Sequence, residues 1–247
     1  MAAFLLRRKP APLPDHVLIE IAGETRKIHL RRNARAKRYL LRVPADEREA
    51  VLTVPAGGSL ETALDFARRQ HGWLAARLSE RQAPVDFADG ASIPFRGLDH
   101  RIRLSGKLRG LVERTDCVDG WELRVPGDAV HLPRKLTDWL KKEARHDLEA
   151  AVARHAANIP RKPSAITIRD TRSRWGSCAA NGRLSFSWRL VLAPPSVLDY
   201  VAAHEVAHLM EMNHGPRFWT LCRRLAPQTE DARQWLKEHG ARLHAYG

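Results

Sequence analysis

The sequence predicts an α+β protein, a β-rich N-terminal layer with one helix followed by a unit of helices with a few further strands. Two observations carry this. Short apolar runs bounded by polar or turn residues recur through residues 1–130, as strands do. Residues 131–247 instead carry apolar positions at helical spacing.

In chain order, "VLIEI" (17–21), "YLLRV" (39–43) and "AVLTVP" (50–55) read as strands. "SLETALDFARRQHGWLAARL" (59–78) changes period: Leu60, Leu64, Ala67, His71, Leu74 and Leu78 fall on one stripe, and Ser59 can cap its start. Strands return at "HRIRL" (100–104), "GLVER" (110–114) and "WELRV" (121–125), and no internal repeat is evident. A long helix is expected over 136–159, with Leu136, Leu140, Leu148, Val152 and Ile159 on one face, stopped by "PRKP" (160–163). A domain boundary is placed near 130, giving domains 1–130 and 131–247. "AITIRD" (165–170) and "GRLSFSWRLVLAP" (182–194) read as strands around "TRSRWGSCAANG". A helix starts near 197, with Ser196 as N-cap and Asp199 three residues on in a capping-box arrangement. "FWTLCRRL" (218–225) and "DARQWLKEHGARLHAY" (231–246) read as closing helices.

Hydrophobic content of 44% and charged content of 28% over 247 residues suit a soluble globular protein. No apolar run approaches the ~20 residues of a membrane span, and "MAAFLLRRKP" has its apolar run ahead of its arginines, unlike a secretory signal. The expectation is a cytoplasmic protein with no membrane partner. Cys117, Cys178 and Cys222 are odd in number, widely spaced and form no CxxC pair, so neither a disulfide framework nor a zinc ribbon is supported. The net charge is +14, and residues 31–42 hold six basic residues and no acid. That charge suits a nucleotide or nucleic-acid partner, and equally a solvated arginine-rich surface.

The chemistry concentrates in "HEVAHLMEMNH" (204–214). His204 and His208 are four apart on a helix, so both imidazoles face one way, as two ligands of one zinc ion (Zn2+) require. Glu205 projects to the flank, where a carboxylate can take a proton from a zinc-activated water. A chain of this composition contains HExxH by chance roughly 3% of the time, so the context carries weight: a capped helix, apolar Val206 and Ala207, and a third histidine. Glu211 and His214 compete as third ligand. Glu211 is on the helical face but about 4.5 Å up the axis, past the metal. Asn213 and Gly215 tolerate the left-handed conformation that ends a helix and turns back, which favours His214. The spacing matches HExxHxxGxxH, but Glu211 stands in place of the glycine, and no Met-turn is available from Met1, Met210 and Met212. The other nine histidines are read as surface or core residues.

The last 80 or so residues resemble the YgjP-like metallopeptidase family, relatives of the SprT-like and WLM zinc peptidases, through "SRWGSC" (173–178), "GRLSFSWRLVLAP", "LDYVAAHEVAHL" (198–209) and "MNHGPRFW" (212–219). The N-terminal half fits more loosely, through "RRNARAKRYLLRV", "LTVPAGGS" and "HGWLAARL". The resemblance implies a small zincin-like catalytic unit of the gluzincin type, with helices packed on a short sheet. It implies His204, His208 and His214 as metal ligands and Glu205 as catalytic base. One departure is Ser187, where the family pattern expects an asparagine.

Three functions compete. The first is a zinc peptidase acting on peptides or proteins. The second is a metal-dependent nucleotide phosphohydrolase, for which Arg172, Arg174 and Arg189 would hold phosphates or an oxyanion, although structural ion pairs or exposed arginines fit these three at least as well. The third is a nucleic-acid-associated protease or binding module. The strand in "GRLSFSWRLVL" is expected to pair with an extended substrate. Cys178 is read as structural, and Trp175, Phe218 and Trp219 as core.

Overall fold

The computed structural model describes residues 12–21, 24–44, 49–74, 85–118, 120–171 and 174–247. The chain divides into two compact units, Met1–Gln82 and Ala83–Gly247.

The first unit holds strands β1 (His16–Ile21), β2 (Glu24–Asn33), β3 (Leu40–Arg42) and β4 (Ala50–Pro55), in the order β1-β2-β4-β3. β2 and β4 are parallel and the other two pairs antiparallel. Period-2 alternation puts Ile19, Ile21, Ile28, Leu30, Leu52 and Val54 into one core. Helix α1 (Leu60–Arg69) adds Ala63 and Ala67 to it. Ser59 caps α1 as expected, accepting the Thr62 N–H at 3.1 Å. The helix expected over 59–78 is interrupted after Arg69; residues 71–74 are helical, and 75–78 lie outside the described residues. His71, assigned to the apolar stripe, is exposed.

The second unit opens with β5 (Ser92–Phe95), β6 (Leu98–Leu104), β7 (Glu113–Cys117) and β8 (Gly120–Val125). Their order, β5-β6-β8-β7, and the parallel β6/β8 pair repeat the plan of the first sheet. Each sheet is followed by a helix, here α2 (Leu132–Ala156). This is a repeat of topology that the residues themselves do not display. After α2 come β9 (Ala165–Arg169), β10 (Gly176–Cys178) and β11 (Arg183–Ser187), a 3-10 turn at Trp188–Leu192, and helices α3 (Pro195–Ala207), α4 (Pro216–Leu225) and α5 (Thr229–Leu243).

One core runs through this unit. Ile93, Ile102 and Leu123 of the sheet pack in the same cluster as Leu132, Leu136, Phe186, Val201 and Val206. The division placed near 130 therefore falls inside a single core, and the separation lies at Gln82/Ala83 instead. The β5–β6 turn is pinned to the segment that leads into α3. The Arg96 N–H donates to the Val191 carbonyl at 2.7 Å, and the Arg96 guanidinium bonds Glu143 and Asp147 of α2, each at 2.8 Å. A Cβ on Gly97 would stand 2.9 Å from the Pro194 backbone, so only glycine permits this approach.

The capping box at Ser196 and Asp199 does not form. α3 begins with Pro195, whose missing N–H suits a first helical position, and its N-cap is Pro194. Asp199 is drawn into tertiary contacts, accepting from His155 and Gln228 at 2.8 Å and from Arg154 at 3.0 Å. It thereby ties α2 and the residue before α5 to the helix that carries HExxH. Among the described residues no helix is long and apolar enough to cross a membrane.

Candidate metal centre

α3 is apolar on nearly every side: Val197, Leu198, Val201, Ala202, Ala203, Val206 and Ala207 are all buried. It therefore runs through the core, and beyond the exposed Ser196 its polar side chains are buried or partly buried. His204 is half-buried, Glu205 is 5% exposed, and His208 sits at the C-terminal cap.

The helix ends at Ala207, earlier than the sequence suggested. The Met210 and Glu211 N–H groups both close on the Ala207 carbonyl at 3.0 Å, and the Gly215 N–H closes a second tight turn on the Asn213 carbonyl at 2.7 Å. The left-handed turn expected at Asn213 and Gly215 is not used; Gly215 is extended, with φ −79 and ψ −178. The consequence is nevertheless the expected one. His214 comes back to the helix, with its Nε2 3.0 Å from His204 Nε2. One ligand atom from each of His204, His208 and His214 lies within 4.8 Å of the others, an arrangement that could hold a metal ion. Glu211 contributes its backbone: its carbonyl accepts from His208 Nδ1 at 3.0 Å.

Each helical imidazole is steered by an oxygen on its far side. A carbonyl can only accept, so His208 carries its proton on Nδ1 and leaves the Nε2 lone pair free. The Tyr200 hydroxyl lies 3.3 Å from His204 Nδ1 and can hold that ring in the same tautomer. Burial, then the nearby charges of His208, His214 and Arg233, hold the His204 pKa down at about 3. Burial also lowers that of His208. Both rings are thus neutral at neutral pH, the form that binds metals. Phe218, read as a core residue, is fully buried, and its ring centroid stands 4.8, 4.5 and 4.7 Å from those of His204, His208 and His214. It forms an apolar floor under the cluster. Trp219 is partly buried and stacks on His214 at 5.7 Å.

Glu205 meets β10. A Cβ on Gly176 would fall 2.5 Å from Glu205 Oε1, so glycine is what lets the strand pass over the carboxyl group. Glu205 Oε2 is buried and has no hydrogen-bond partner among the described residues. Burial pushes the carboxyl pKa up to about 8, against the charge of Arg174. Burial and then the Glu205 charge raise the Cys178 thiol, so this cysteine is no activated nucleophile.

The three arginines have separate fates. Arg174 is exposed, and its charge is felt at Glu205. Arg172 lies outside the described residues. Arg189 is 1% exposed and engaged structurally, with Nε 3.2 Å from Asp170 and donors on the Tyr246 and Gly247 carbonyls. Of its two readings, an anion contact or a structural ion pair, Arg189 adopts the second. Ser187 is fully buried and its hydroxyl has no partner among the described residues. The strand expected over 182–194 is confined to β11, which is hydrogen-bonded on both sides in the order β10-β11-β9. It has no free edge for a substrate; β10 and β9 are the edge strands.

The donor set fits zinc. Two nitrogens at 2.0–2.1 Å from a tetrahedral zinc are about 3.3 Å apart, close to the 3.0 Å between His204 and His214. Three nitrogens would leave one position open on a tetrahedral ion, and Glu205, next to His204 on the helix, has its Oε2 buried with no partner among the described residues. A family model for the YgjP-like metallopeptidase domain matches residues 37–239. The chain belongs to the YgjP-like metallopeptidase family. No curated protein and no solved structure gave a match. The YgjP-like domain begins within the first compact unit and takes in nearly all of the second. A metallopeptidase domain implies a metal ion, and the three histidines are the group suited to it among the described residues.

Tyr200, Gly176 and the Glu211 carbonyl went unread in the sequence. Tyr200 had a signal, since it precedes His204 by four residues on the same helix. Gly176 had none, because its contact with Glu205 is made by tertiary packing alone.

Proposed function

We propose that this YgjP-like protein is a zinc-dependent peptidase in which His204, His208 and His214 hold the ion and Glu205 is the general base. The observation that carries this reading is the convergence of three imidazoles, those of His204 and His208 held neutral, on the helix whose Glu205 has a buried Oε2 with no partner among the described residues. A bound zinc ion would supply a Lewis acid for the scissile carbonyl and lower the pKa of water. Tyr200 and the Glu211 carbonyl orient the rings of His204 and His208. Phe218 excludes water from beneath them. Glu205 takes the proton of the attacking water on its carboxylate and returns it to the leaving amine. Its raised pKa makes it a stronger base than an ordinary carboxylate, and a nearby cation would bring that value back toward neutrality.

The edge position of β10, directly over Glu205, favours an extended peptide as substrate, since a backbone can pair there by β-augmentation. The phosphohydrolase reading needs several cations at the site and is supported less well, because Arg189 is tied to Asp170. The test is Glu205→Gln, assayed against unfolded proteins, peptides and nucleoside triphosphates. Positioned general-base catalysis is worth typically 10²–10⁴-fold, so turnover should fall by at least about a hundredfold with zinc retained. Undiminished turnover, or loss of the metal, would overturn the assignment of Glu205. Cleavage confined to nucleotides would overturn the peptidase.

A further inference from the structure

The first unit carries a cavity of about 470 Å³, lined by Arg31, Leu41, Arg42, Val43, Pro44, Val51 and Trp73. Its size falls in the range of small-ligand pockets, on the order of 300–1,000 Å³. Its chemistry is narrow: two guanidinium groups, one indole, an aliphatic floor and no carboxylate. Trp73 is 46% exposed, unusual for so large an apolar side chain. Neither Arg31 nor Arg42 has an acidic partner among the described residues, whereas Arg26 and Lys27 pair with Glu24 and Glu49.

The register sets the spacing of the two cations. Arg31 lies opposite Thr53 and Arg42 opposite Val51, so both stand on one face of the sheet with β4 between them. Strand spacing of ~4.8 Å and rise of ~3.4 Å put their Cα atoms roughly 12 Å apart, which suits successive phosphates of a strand better than a single phosphate. Arg35, Lys37 and Arg38, all exposed, continue the positive charge along the same stretch. An indole face beside guanidinium groups is the combination that stacks a base and holds its backbone without reading sequence.

We propose that this cavity takes a base of single-stranded nucleic acid, stacked on Trp73, with Arg31 and Arg42 on the flanking phosphates. The inference is independent of the zinc site and of what that site cleaves. The test is fluorescence anisotropy with the full chain and a labelled single-stranded RNA 12-mer at several salt concentrations. Trp73→Ala should weaken binding by about tenfold, from stacking worth ~1–3 kcal/mol per base, and Trp73→Phe should largely restore it. Arg31→Glu with Arg42→Glu should flatten the slope of log K against log salt by roughly 1.4, at ~0.7 per phosphate lost. Lys141→Glu with Lys142→Glu, the same charge change in the second unit, should have a much smaller effect. Equal losses in the two double variants, or an unchanged affinity in Trp73→Ala, would mean diffuse attraction and overturn the proposal. So would equal binding of a duplex of the same length, or equal competition by polyglutamate or a nucleoside monophosphate.

Discussion

Replacing Gly176 by alanine sets a methyl group where the carboxyl group of Glu205 stands. The added Cβ would lie 2.5 Å from Oε1, 2.7 Å from Cγ and 2.8 Å from Cδ, and ordinary contact begins at 3.4 Å, so the carboxyl must retreat by about 0.9 Å. It has little room, being 5% exposed and carried on a helix whose neighbouring Ala202, Ala203 and Val206 are buried. A misplacement of about 1 Å at a reacting group costs on the order of 10²-fold in rate, and overpacking of this kind about 1–3 kcal/mol in stability. The three atoms nearest the new methyl all belong to Glu205 and none to a histidine, so the metal should stay. The expected outcome for Gly176→Ala is therefore a kcat lower by about a hundredfold, a zinc content like that of the unaltered chain, and a modestly lower Tm. Turnover on unfolded protein and quenched peptides, with elemental analysis of the same preparations, checks this. Undiminished turnover with zinc bound would refute the reasoning, because the strand would then not constrain the base.

Tyr200→Phe removes the oxygen 3.3 Å from His204 Nδ1 and keeps the ring; second-layer losses of this type typically cost about 10–100-fold in metal affinity, to be read by competition with a chelating dye, and an unchanged affinity would strip Tyr200 of that role. Asp199 gives a pH prediction. Its burial favours the neutral acid, but hydrogen bonds and charge from His155, then Gln228 and Arg154, outweigh this and hold the pKa at about 2. A depressed carboxyl contributes its stability above its unfolded pKa of about 4 and loses it as pH falls toward 2, roughly 1–2 kcal/mol after screening of a partly exposed group. Asp199→Asn should thus be less stable than the unaltered chain at pH 6, and the gap in denaturant midpoint should narrow between about pH 4 and pH 2. A gap that does not change with pH would contradict the assignment.

The grouping of the three histidines was more legible than the architecture around it. His204 and His208 follow from helical spacing, and His214 from the need for a turn after the helix. The turn itself was misplaced, because His208 bonding to the Glu211 carbonyl and two N–H groups closing on Ala207 end the helix early, and no local residue signals that. The strands of 50–55 and 121–125 were readable because alternating apolar residues face a core. β2 was not: only Ile28 and Leu30 of its ten residues are buried, and its partner β4 comes from beyond an intervening strand. Asp199 was read as a local cap when its partners are up to 45 residues away in sequence. Arg189 could be read as an anion contact or, at least as readily, as a structural ion pair, and the sequence could not choose because nothing in its neighbours announces burial against Asp170 and the Tyr246 carbonyl. The misreadings share one cause, a long-range partner that local pattern does not encode.

If His204, His208 and His214 together hold one zinc ion, metal content must follow His214 and not the Glu211 side chain. The measurement is elemental analysis of protein purified without added metal, made on the unaltered chain, His214→Ala and Glu211→Ala, followed by zinc titration. About one zinc per chain is expected, retained in Glu211→Ala because it is the backbone carbonyl of that residue that bonds His208, and lost or much weakened in His214→Ala. Zinc well below one per chain with no uptake on titration would contradict it, as would a Glu211→Ala protein that empties while His214→Ala stays loaded.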